Sequence, residues 1–107
     1  MRFLTILLVL LLATPALADQ KTETVTAITT SATVVTARPS RPNLLVMNIG
    51  TTNPAFCCFT ACPCVTATGM FLAASGGSVS FGLDDNMTGL ACCVSVGTTI
   101  YALETWR

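Results

Sequence analysis

The chain has no histidine. Nucleophilic cysteine and serine sites usually draw their base from histidine, and many metal centres draw ligands from it, so both are disfavoured at the outset. Charge is scarce as well: five Lys and Arg against five Asp and Glu in 107 residues. Nowhere do the basic residues cluster, which excludes the phosphate-driven binding on which nucleic-acid recognition rests. Beyond residue 18 no apolar run approaches the roughly 20 residues of a spanning helix. Leu, Glu, Lys and Gln are also thin there, so helical periodicity is missing and with it the crossovers of a parallel sheet. No CxxC pair occurs, although the chain has six cysteines.

What is present begins with a leader. MRFLTILLVLLLATPALADQ has a basic Arg2, an apolar run from Phe3 to Ala13, a break at Pro15 and the small-x-small pattern Ala16-Leu17-Ala18. That order is a secretory signal peptide over 1–18, with cleavage expected between Ala18 and Asp19. No stable membrane span is expected after cleavage, and no cysteine follows the cut to carry a lipid. The remaining 89 residues, 19–107, are the length of one small domain. A domain this size buries only about 60–65% of its unfolded surface, so cross-links are useful to it. Of those residues 22 are Ser or Thr, giving a surface that is polar yet nearly uncharged. Near-zero net charge favours association.

The body of the chain is rich in Thr, Val, Ile, Phe and Gly, which is strand and turn composition. Strands are expected over 23–30, 32–37, 43–50, 55–61, 70–74, 78–83, 90–96 and 98–105, the last two as a hairpin around Gly97. In NLLVMNIG, Leu44, Val46 and Asn48 share one face, and Leu45, Met47 and Ile49 the other. Pro39 and Pro42 cannot continue a ladder. Asn53-Pro54 marks a turn. Seven or eight short strands at close spacing predict an all-β antiparallel sandwich or small barrel. Residues 19–30 lack large apolar groups and are expected to be partly disordered.

The cysteines are Cys57, Cys58, Cys62, Cys64, Cys92 and Cys93. Behind a signal peptide, an even number reads as a disulfide framework. Neighbours on a strand point to opposite faces, so one of Cys57/Cys58 and one of Cys92/Cys93 is expected inward and the other outward or near a loop. The candidate bridges join the 57/58 pair to the 92/93 pair, or to Cys62 and Cys64. Clustered thiolates for zinc or copper(I) are the alternative, disfavoured by the missing CxxC and histidine.

Other features have plain readings. Asp84-Asp85-Asn86 before Gly89 reads as a turn rather than as a carboxylate pair or a calcium loop. Asn86-Met87-Thr88 matches a glycosylation sequon. Asn48 falls where the alternation predicts an inward side chain, and a satisfied buried amide tying down a loop is the reading for it. With Gly50, Pro54 and Gly97 it forms the set of candidate structural residues. Tyr101 and Trp106 read as packing near the C-terminus, with an exposed binding patch as the alternative.

Three stretches, TSATVVTARPSRPNLLVMNIGTTNPAF, VTATGMFLAASGGSVSFGL and GLACCVSVGTTIYALE, resemble small β-sandwich proteins and domains encoded among the virion genes of tailed phages. The shared run is Arg41, the strand Leu44 to Gly50, the Asn53-Pro54 turn, the strand led by Gly69, the Gly76-Gly77 turn, and the segment Leu90 to Glu104. The resemblance implies a structural or decoration role and carries over scaffold positions only, so no catalytic residue is nominated and no cofactor is expected. Together with the leader it implies an exported relative of the phage domain, or a virion protein that meets the host envelope.

The expected function is therefore non-enzymatic: an exported, disulfide-stabilised structural or surface-display module, virion accessory in type, which self-associates or binds a protein partner on a particle or cell surface. The alternatives are a secreted or periplasmic module recognising a ligand through loops 60–68 and 84–89, and a small exported thiol metal-binding protein.

Overall fold

The computed structural model describes residues 20–38, 40–59, 62–82, 85 and 87–106. The leader, the Ala18–Asp19 junction, Asp84 and Asn86 lie outside the described residues. Eight strands form among those described: β1 (Gln20–Ile28), β2 (Ser31–Val35), β3 (Asn43–Asn48), β4 (Ala55–Cys58), β5 (Met70–Leu72), β6 (Ser78–Phe81), β7 (Ala91–Val94) and β8 (Thr98–Trp106). They make two antiparallel four-stranded sheets, ordered β1-β8-β3-β6 and β2-β7-β4-β5. The expected all-β sandwich is thus the observed fold.

Pairing is nested: first strand with last, second with seventh, third with sixth, fourth with fifth. That is the connectivity of an eight-stranded jelly roll. Successive strands mostly change sheets, so the expected β7–β8 hairpin around Gly97 is not formed. Residues 95–97 are instead a corner between sheets. Gly97 has φ +154°, a conformation side chains rarely adopt, and its carbonyl accepts from Asn53 Nδ2 at 2.8 Å. Ser95 Oγ donates to the Pro54 carbonyl at 2.8 Å and accepts from Gly97 N–H at 3.2 Å. A glycine between two apolar runs looks the same in sequence whether it closes a hairpin or turns such a corner.

β1 begins at Gln20 and pairs with β8 along all nine of its residues, from Gln20↔Trp106 to Ile28↔Thr98. Backbone pairing, which needs no large side chains, holds it. In β2 the register against β7 shifts between Thr33 and Val35. This bulge lets the consecutive Val34 and Val35 both turn inward, which strict alternation forbids.

The core lies between the sheets, built from Ile28, Val34, Val35, Leu44, Val46, Ala55, Cys57, Leu72, Ala91, Cys93, Ile100 and Ala102. In β3 the alternation read from the sequence is what the burial shows: Leu44, Val46 and Asn48 are buried, and Leu45 and Met47 are half-buried. At one end Phe59 and Phe81 meet edge to face across 4.8 Å, where both pack on the core.

Candidate functional site: the cysteine-bearing sheet

All six cysteines lie on β4, on β7 or in the loop after β4, and all are bonded. AFCC in β4 runs against ACCV in β7, with Cys57 opposite Cys93 and Cys58 opposite Cys92. Cys57 and Cys93 bridge straight across the ladder on the inner face, with Cα atoms 4.0 Å apart. Both belong to the core. On the outer face the bridges are Cys58–Cys64 and Cys62–Cys92. Cys57–Cys93 joins the two vicinal pairs and Cys58–Cys64 runs from the first pair to the loop, whereas Cys62–Cys92, from the loop to the second pair, is a link the sequence reading did not offer.

Cys92 takes the outward place against the loop, yet it is as buried as Cys93, at 1% and 0% exposure. The loop carrying Cys62 and Cys64 folds back over the outer face and covers it. Cys64 is buried in this return, its sulfur 3.4 Å from the Phe56 carbonyl oxygen. Gly69 permits the approach: a Cβ there would lie 2.7 Å from the Phe56 Cβ. Cys62 is exposed. With every sulfur in a disulfide, no thiolate stands ready for a metal, and no group of three or more metal-ligating side chains occurs among the described residues.

Beside the loop, the same outer face is apolar. Phe56 and Phe71 meet edge to face at 5.6 Å, and Val96 is 82% exposed. A notch of about 370 Å³ opens here, lined by Pro54, Phe56, Thr66, Val94 and Val96 among others. Its walls offer few hydrogen-bonding groups beyond hydroxyls.

Two polar centres lie away from the cysteines. Asn48, fully buried at the end of β3, donates to the carbonyls of Asn53 at 3.0 Å and Leu72 at 3.1 Å. Its Oδ1 accepts from Gly50 N–H at 3.1 Å and Thr98 Oγ1 at 2.6 Å. This one amide joins β3, the 49–54 turn, β5 and β8. Arg41 is the second, its side chain wholly out of solvent. Its Nε donates to Glu104 Oε2 at 2.7 Å, its Nη1 to the carbonyls of Met87 and Gly89, and its Nη2 to that of Thr36. Glu104 Oε1 accepts from Arg38 Nε at 3.1 Å. Arg38 stacks over Trp106 at 4.2 Å, and Trp106 Nε1 donates to Thr22 Oγ1. Trp106 is therefore packed under an arginine and tied to β1. Sequence reasoning did not pair Arg41 with Glu104, which lie 63 positions apart. Asp85 accepts from Gly82 N–H at 2.7 Å, within its own turn.

No protein-family model matches the chain, and no curated protein does. Among solved structures it is similar to a chain from Bacillus endospore appendages, described as a novel family of disulfide-linked pili. The identity is 15% and the TM-score 0.38, over 84% of this chain and 92% of that one. A likeness at that score is too coarse to locate a site or a partner.

Proposed function

We propose that the chain is an exported, non-enzymatic structural module, stapled by disulfides, which self-associates or decorates the surface of a larger particle. Three bridges in so small a domain fit an oxidising destination, as does the leader. The observation that carries the association is β1: a nine-residue strand at the edge of its sheet, paired on one side only, with Val25 64% exposed. Such an edge is a ready template for another strand. A surface of threonines and few charges does little to repel a second copy. The virion-accessory form of this reading draws on the shared run of scaffold residues described above.

Sedimentation of the purified chain across a range of concentrations tests it. Assemblies that grow with concentration are expected, and Val25→Lys is expected to weaken them at least tenfold. A monomer at every concentration, with no affinity for particles or cell surfaces, contradicts it. The apolar notch beside Phe56 favours a second reading, a module holding an apolar group of a partner, for which Val94→Asp would abolish capture without changing assembly.

A further inference from the structure

Four of the six sulfurs belong to the outer face: Cys58 and Cys92 on the strands, Cys62 and Cys64 on the loop above them. On the inner face the opposed residues Cys57 and Cys93 are bonded to each other. One step along, Cys58 and Cys92 are opposed in the same way, yet each is tied to the loop instead. Cα atoms at the wider kind of antiparallel pair stand about 5.5 Å apart, inside the range a disulfide spans. The Cys92 sulfur already lies 3.9 Å from the Cys58 carbonyl oxygen. The same four sulfurs thus have a second pairing open to them that leaves the β4–β7 ladder in place.

Exposure decides where exchange begins. Cys62 is exposed, Cys58 is half-buried, and Cys64 and Cys92 are buried. An open notch of about 300 Å³, lined by Ser31, Ala32, Thr33 and Pro63, lies against the Cys62–Cys92 bridge. An incoming thiolate meets Cys62 first.

We propose that Cys62 is a thiol-acceptor site. An external thiolate attacks Cys62 Sγ and forms a mixed disulfide. The Cys62–Cys92 bond breaks, and its electron pair leaves on Cys92 Sγ. That thiolate attacks Cys58 Sγ, forms Cys58–Cys92 across the ladder, and expels Cys64 as the final thiolate. One thiolate enters and one is released, so no oxidant or reductant is consumed. The loop, freed from the strands, then carries the attached group at Cys62. The Cys57–Cys93 bridge, closed within the core, takes no part. The site rests on the exported, oxidising setting proposed above, in which the bridges persist. The incoming thiolate belongs to a small thiol or to a cysteine of another chain.

The test treats the folded full chain with glutathione at about pH 8, where thiols are partly ionised, blocks it with iodoacetamide, and maps it by mass. One glutathione is expected on Cys62, one blocked thiol on Cys64, and a new Cys58–Cys92 link, with Cys57–Cys93 intact. In the Cys58→Ser/Cys64→Ser variant the shift is impossible: the free thiol should appear on Cys92 and the adduct should fall at least tenfold at equal glutathione. In a parallel arm a folded protein with one surface cysteine replaces glutathione. Adducts with glutathione alone identify the natural partner as a small thiol, and adducts with both admit a protein. No adduct with either, an adduct on another cysteine, or a native chain whose free thiol is Cys92 overturns the site. Mass reads the result on monomer, so it stands or falls independently of whether the chain assembles.

Discussion

The sheet β1-β8-β3-β6 contains no cysteine, whereas β2-β7-β4-β5 is crossed or capped by every disulfide in the chain. The first has two nine-residue strands, β1 and β8, paired along their whole length. The strands of the second run three to five residues. A three-residue strand contributes few ladder bonds, and each is worth about 1 kcal/mol net. Covalent bonds fasten the sheet that its ladder holds poorly. The long-strand sheet relies instead on its ladder and on Arg41, which ties Glu104 of β8 to the carbonyls of the 36 and 87–89 segments. Two halves of one core are secured by different chemistry, and only one half is sensitive to reduction.

The comparison breaks most sharply at the core bridge. Cys57→Ala with Cys93→Ala removes a link spanning 36 positions and is expected to cost roughly 4 kcal/mol, read as a lower midpoint in denaturant. Opening the chain there frees the unfolded state, and the lost sulfurs thin the core at the centre of the short-strand sheet. Arg41→Met comes next, at about 3 kcal/mol, because it strands a buried carboxylate and three carbonyls. Arg38 still pairs with Glu104 and moderates the loss. Arg38→Ala should cost below about 1 kcal/mol, since its side chain is 26% exposed to solvent that screens the pair. Added reductant should lower the stability of all three variants further, because the alanine pair still carries the Cys58–Cys64 and Cys62–Cys92 bridges. Equal effects of Arg41→Met and Arg38→Ala would remove the buried guanidinium from its place in the account.

Much of this architecture was readable in the residues, and the unread part has physical causes. Alternation along β3 placed Leu44, Val46 and Asn48 on one face, and burial follows it. Strand composition and turn residues located all eight elements to within a few positions. Connectivity was not readable, because Gly97 marks a reversal without saying whether the next strand joins the same sheet. The bulge in β2 hid behind a valine pair that fits either face. Cys92 is buried as well as Cys93 because a loop returns over the outer face, and no local pattern records that return. Arg41 and Glu104 each lay within the resembling run, but a pairing across 63 positions belongs to the folded chain alone.

The most direct measurement is a non-reducing peptide map, with sequencing across the bridges, of the chain recovered from outside the cell with thiols blocked at harvest. The account predicts a mature chain beginning at Asp19, no blocked thiol, and Cys57 linked to Cys93. Free thiols, or Cys57 linked to any other cysteine, would contradict it.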